Sequence, residues 1–164
     1  MSQFRKYNMK PFYKYTILFI LGIVALIGCK DEVVSYDNPF VYITDKFGGS
    51  NAAMDCLAKY TSTYYVKLSS KKRTNDLTLY FKVKIGTGLQ EGVDYTLDSS
   101  TANSVVFHPN EYEKMIYVNW LPHKVDLQKD NSLAIVLEST NDKEITIGKP
   151  GPDKLGVTYT IIKQ

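Results

Sequence analysis

Alternation of apolar and polar residues organises most of this chain. Leu77, Leu79, Phe81, Val83 and Ile85 interleave with Thr78, Tyr80, Lys82 and Lys84, the period of two that a half-buried strand requires. Tyr64, Val66 and Leu68 repeat the pattern, as do Ile116, Val118 and Trp120, and Leu133, Ile135 and Leu137. Further strands are expected at residues 40–44, 104–107 and 155–162, with weaker signals at 95–97 and 144–147. Turn chemistry separates them. Residues 71–76 are polar, 86–94 hold three glycines, Pro109-Asn110 and Pro122 interrupt pairing, and residues 148–153 are rich in glycine and proline. Residues 48–58 read as a long loop with at most one helical turn around Asn51-Ala52-Ala53-Met54. Regularly spaced strands with one wet face predict an all-β protein, an antiparallel β-sandwich of immunoglobulin-like type with seven to nine strands. In such a sandwich Trp120 belongs to the core phase.

The first 28 residues follow a different rule. Arg5, Lys6, Lys10 and Lys14 precede an apolar run from Thr16 to Ile27, and no acid occurs there. This is the order of a secretory signal, whether translation starts at Met1 or Met9. Twelve helical residues reach about 18 Å, short of the roughly 30 Å of a bilayer's hydrocarbon core. The run therefore reads as a leader rather than a membrane span.

Leu26-Ile27-Gly28-Cys29 closes that run, and residues 16–29 resemble a bacterial lipoprotein signal. The resemblance implies cleavage before Cys29 and acylation of Cys29 by diacylglycerol and a further acyl chain such as palmitate. Several buried chains, at about 0.8 kcal/mol per CH₂, make a durable membrane anchor where one would not. Lys30-Asp31-Glu32 resembles the lysine-plus-acid tag of Bacteroidota lipoproteins displayed on the outer face of the outer membrane. The alternative is a plain polar linker facing the periplasm. The division is then a leader at 1–28, a lipidated cysteine and tether at 29–38, and a sandwich at 39–164. A nine-residue flexible tether spans only about 16 Å, which keeps the sandwich close to the lipid.

Cleavage changes the charge. The full chain of 164 residues carries 20 Lys and Arg against 17 Asp and Glu, and the leader removes four of the cations and none of the acids. What remains is nearly neutral, so the net +3 of the whole is no sign of a nucleic-acid partner, which demands a clustered basic face. With Cys29 acylated, Cys56 has no partner for an intrachain disulfide and reads as a small packing residue.

Gly92-Val93-Asp94-Tyr95, then Val105-Val106-Phe107-His108-Pro109-Asn110, Ile116-Tyr117-Val118 and Leu133-Ala134-Ile135-Val136-Leu137 resemble the Calx-beta module. The likeness is best over residues 92–138 and implies an immunoglobulin-like sandwich. Asn110 stands where that family usually has glycine, and its acidic cluster is thinned here to Asp126 and Asp130. Calcium takes six to eight oxygen ligands, so these departures argue against a calcium site, and no metal or other cofactor is expected beyond the lipid. The combination of lipidated cysteine and small sandwich also resembles lipoproteins encoded beside glycan import systems.

Catalytic signals are weak. Glycines 86, 88 and 92 precede extended sequence rather than the helix a phosphate cradle needs. His108 and His123 flank prolines at strand ends without metal-ligand spacing, and no nucleophile elbow occurs. Glu91 with Asp94, and Glu138 with Asp142 or Glu144, are the carboxylate pairs a glycosidase would need, yet all fall in or beside turns where solvated acids are ordinary. No enzyme is expected.

Aromatic residues carry the binding signal. The mature chain keeps ten tyrosines, four phenylalanines and Trp120. Flat rings stack on the C–H faces of sugars, and a polar tip suits a wet surface. Strand phase turns Tyr65, Tyr80 and Tyr117 outward. Tyr65 and Tyr117 are expected as neighbours on one sheet, with Lys67 and Asn119 beside them and Tyr80 on the other sheet. These four residues form the candidate polysaccharide platform; the alternatives are cross-strand pairs that serve only the sheet, and a docking face for another envelope protein.

Overall fold

The computed structural model describes residues 38–98 and 103–164, which belong to one compact unit, Tyr36–Gln164. The leader, Cys29 and the tag at Lys30, Asp31 and Glu32 lie outside the described residues. Among the described residues there are ten strands and no helix. They are β1 (Phe40–Thr44), β2 (Asn51–Met54), β3 (Tyr60–Ser69), β4 (Leu77–Ile85), β5 (Tyr95–Leu97), β6 (Ser104–Phe107), β7 (Glu113–Trp120), β8 (Ser132–Thr140), β9 (Thr146–Ile147) and β10 (Thr158–Lys163). One sheet has the order β5-β7-β3-β1-β9 and the other β2-β10-β8-β4-β6. Within them, β5-β7-β3-β1 and β10-β8-β4 reproduce the two-sheet frame of immunoglobulin-like sandwiches.

The alternation read from the sequence is the alternation that is buried. Tyr64, Val66, Leu68, Leu77, Leu79, Phe81, Ile116, Val118, Trp120, Leu133, Ile135 and Leu137 all face the core. Trp120 is 1 % exposed, and its indole nitrogen donates to Ser62 Oγ at 3.0 Å, so its one polar group is satisfied.

Four features differ from the sequence expectation. Ten strands replace seven to nine, because residues expected as loop contain β2. Asn51, Ala52, Ala53 and Met54 have little strand preference, and pairing with β10 overrides it. The sheets are mixed rather than purely antiparallel: β2 runs parallel to β10, and β1 parallel to β9. The last strand begins at Thr158 rather than Leu155, since Gly156 adopts φ +77° and its carbonyl accepts Ile43 N–H at 2.8 Å. Ile85, at the end of the inward phase, is 43 % exposed because β6 covers β4 only over Leu77 to Tyr80.

A buried ion pair ties the far end of the sandwich together. Lys163 is fully buried and Asp94 nearly so, and Lys163 Nζ lies 2.9 Å from Asp94 Oδ1. The ammonium also donates to the Leu121 carbonyl at 2.9 Å, while Asp94 Oδ2 accepts Gln90 N–H at 2.8 Å. His123 Nδ1 sits 2.9 Å from the same Asp94 oxygen. Asp94 is therefore not the solvated turn acid its position suggests. His123 keeps to a loop and half exposed, with a structural partner. Burial raises the Asp94 pKa, but hydrogen bonds from Lys163, His123 and Gln90 more than offset this and hold it below the ordinary value.

Candidate ligand-binding site

Alternate residues of β3 and β7 form the outer face of the first sheet. Tyr65 lies opposite Met115, Thr63 opposite Tyr117, Lys67 opposite Glu113 and Thr61 opposite Asn119. Tyr65 and Tyr117 are thus diagonal neighbours, close enough for rings to share a face. All four residues singled out from the sequence are on this surface. Tyr80 lies on the other sheet, exposed, as its phase requires.

Much of the polarity on this face is used internally. Lys67 Nζ lies 3.3 Å from Glu113 Oε2 and 5.8 Å from the Tyr65 ring centre. Thr61 donates to Asn119 Oδ1 at 2.6 Å, and the Tyr117 hydroxyl meets Met115 Sδ at 3.1 Å. Ion pairs this exposed add at most about 1 kcal/mol. Both tyrosines are half-buried. Lys67, Asn119 and Tyr117 are each held by a neighbour on the face.

Tyr65 also borders a concavity that strand phase did not reveal. Strand β1 ends at Thr44, opposite Tyr65, so residues 60–64 of β3 have no β1 neighbour. The chain leaves there for the second sheet through residues 45–50, and the gap between this crossover and β3 is a groove of about 440 Å³. Tyr64 and Tyr159 lie at its base, with ring centres 4.7 Å apart. Burial pushes the Tyr64 hydroxyl up to about 12 despite hydrogen bonding with Ser62 and Trp120. Phe47 and Tyr60 stand at its margin, 85 % and 44 % exposed. The available sequence signal was Asp45-Lys46-Phe47-Gly48-Gly49, an aromatic residue inside a turn-forming run.

A second cleft, of about 450 Å³, lies where β4 extends past β6, with Val83, Ile85, Leu97 and the buried Tyr95 along its wall. The Tyr95 hydroxyl has no hydrogen-bond partner among the described residues.

The remaining chemical candidates are dispersed. Glu138 pairs with Lys82, and Asp142 lies 2.9 Å from Arg73. Asp126 and Asp130 each accept a backbone N–H two residues on, from Gln128 and Ser132, both at 3.0 Å. His108 sits 3.1 Å from Asp76 at the surface. Cys56 is partly buried against the core. Gly86 and Gly88 pack on the loop opposite, where a Cβ would stand 2.2 Å from the Asp130 carbonyl and 1.9 Å from Asn131 Oδ1. Among the described residues no group of three or more His, Cys, Asp or Glu side chains converges to hold a metal ion, and no helix is long and apolar enough to cross a membrane.

Comparison with protein families finds no family model that matches this chain, and no curated protein matches it.

Proposed function

We propose that the protein is a non-enzymatic, lipid-anchored module of a bacterial outer membrane, facing the cell surface, whose sandwich helps capture polysaccharide. The observation that carries this reading is the grouping of Tyr65, Tyr117, Lys67 and Asn119 on one sheet face, continuous at Tyr65 with an aromatic groove. Rings offer stacking surface to sugar C–H groups, and amide and ammonium groups at the edge suit hydroxyls. The proposed address rests on the run ending at Cys29 and the Lys30-Asp31-Glu32 tag.

The direction of β3 favours access. Pro39 leads into β1 at the Ser69 end of β3, whereas Tyr60, Thr61 and Asn119 lie at the other end, about 30 Å away along the strand. The chain enters the sandwich at Pro39, so the aromatic end of β3 is not the end at which the tether joins.

Substituting Tyr65 and Tyr117 together with alanine in the detergent-solubilised full chain tests the platform. Retention on polysaccharide-containing native gels is expected to fall about tenfold, with the melting temperature little changed. Unaltered retention of the double variant removes the face from the binding site.

One observation favours a second reading. Leu57 and Leu127 are 63 % and 72 % exposed, in loops at the end remote from Pro39. Exposed aliphatic groups of this kind fit a protein partner in the envelope. Co-purification of a neighbouring protein without polysaccharide retention would favour that role.

A further inference from the structure

We infer that the groove beside β3 is a sugar-binding subsite in which Phe47 and Tyr60 hold a pyranose ring of a polysaccharide chain. This rests on the polysaccharide reading and names a different surface for it from the sheet face. Phe47 is the most exposed of the large apolar side chains described, yet its loop is locked. Asp45 Oδ1 accepts the N–H groups of Phe47 at 2.7 Å and Gly49 at 2.8 Å. Asp45 Oδ2 accepts the hydroxyl of buried Tyr159 at 3.0 Å, which fastens the turn to the core. Thr44 Oγ1 donates to the Gly49 carbonyl at 2.9 Å, and Gly48 supplies the φ of +89° that the turn needs.

The backbone that presents the phenyl ring is already held in one shape, so a ligand has less of the loop left to order. Lys46 Nζ lies 4.7 Å from the Phe47 ring centre and covers one face. At 85 % exposure the other face is open to solvent. That is the geometry for stacking one apolar sugar face, with Tyr60 at the same margin as a second ring. The hydroxyls of such a sugar need donors and acceptors. Thr63 and the β3 backbone at 60–64, which β1 leaves unpaired on this side, supply them. The volume falls within the range of small-ligand sites, about 300–1,000 Å³. On the sheet face Lys67 also pairs with Glu113, and Asn119 Oδ1 also accepts the Thr61 hydroxyl.

Affinity electrophoresis of the detergent-solubilised full chain against amylopectin, xylan, mannan and mixed-linkage glucan separates the possibilities. At least one polysaccharide is expected to retard the wild type. Phe47→Ala and Tyr60→Ala are each expected to weaken that retention about tenfold, the scale of one aromatic stacking contact, and Phe47→Tyr to preserve it. Full retention of both alanine variants, with loss in the Tyr65 and Tyr117 double variant, overturns the subsite and leaves the sheet face as the platform. Absence of retardation of the wild type by all four overturns the subsite and the polysaccharide reading together. Phe47 makes little core contact, so melting of its alanine variant should match the wild type.

Discussion

Lys163→Ala is expected to destabilise the sandwich by about 3–5 kcal/mol, a large share of the stability of a domain this size. The ammonium is fully buried, and removing it leaves the Asp94 carboxylate inside the protein without its cation. The Leu121 carbonyl loses its donor as well. Changing both Lys163 and Asp94 to alanine should cost less than the sum of the single changes, since neither charge is then stranded. The dependence on acidity has a definite sign. Asp94 has a folded pKa lowered by the hydrogen bonds that offset its burial, so its contribution is complete above the unfolded value of about 3.9. It fades as pH falls through the lower folded value. In the Lys163→Ala variant Asp94 keeps only its His123 and Gln90 contacts, so its carboxyl gains by taking up a proton and the deficit relative to wild type should shrink on acidification. Urea unfolding at about pH 7 and about pH 4 checks both statements. A loss under about 1 kcal/mol at neutral pH contradicts the buried-pair description.

The second large effect is expected at Trp120. Replacing it with alanine should cost about 3–5 kcal/mol through lost burial and the cavity left behind. The indole is 1 % exposed, tilts against Tyr95 with ring centres 6.1 Å apart, and donates to Ser62. Trp120 is also opposite Tyr60 on one side and Tyr95 on the other, so it joins three strands of the first sheet. Trp120→Phe keeps part of the packing and forfeits only the indole donor and some volume. It should cost clearly less in the same unfolding assay.

Period-two patterning made the frame readable. Strands β3, β4, β7 and β8 carry alternating apolar residues, and those on the apolar phase, Ile85 at the end of β4 excepted, are packed between the sheets. Other features depend on partners far along the chain. Strand β2 forms because β10 offers a parallel edge to Asn51–Met54, and nothing within those four residues demands it. Lys163 illustrates a signal that was present. Tyr159 and Ile161 point inward, and Lys163 continues their phase, so a buried lysine was implied by the alternation itself. Its partner was hidden because Asp94 follows Gly92 and Val93 in what reads as an ordinary turn. Asn110 is a smaller case: it adopts φ 68°, a left-handed conformation that asparagine tolerates, so the turn after Pro109 forms at little cost.

The candidate site divides in the same way. Strand phase was sufficient to put Tyr65, Lys67, Tyr117 and Asn119 on one face, because antiparallel pairing of β3 with β7 fixes their register. It placed the end of β1 at Thr44 but gave no indication that the crossover after it leaves a groove along β3. A loop's shape comes from its own hydrogen bonds, here those of Asp45, and these have no period.

The proposed function stands on one binding event at the aromatic side of the first sheet. Titration of the intact, detergent-solubilised protein with soluble polysaccharides, followed by intrinsic tyrosine and tryptophan fluorescence, measures it most directly. Saturable quenching or enhancement is expected with at least one polysaccharide, lost when Tyr65, Tyr117 and Phe47 are all changed to alanine. A response equally strong in that triple variant, or flat titrations for every polysaccharide, would contradict it.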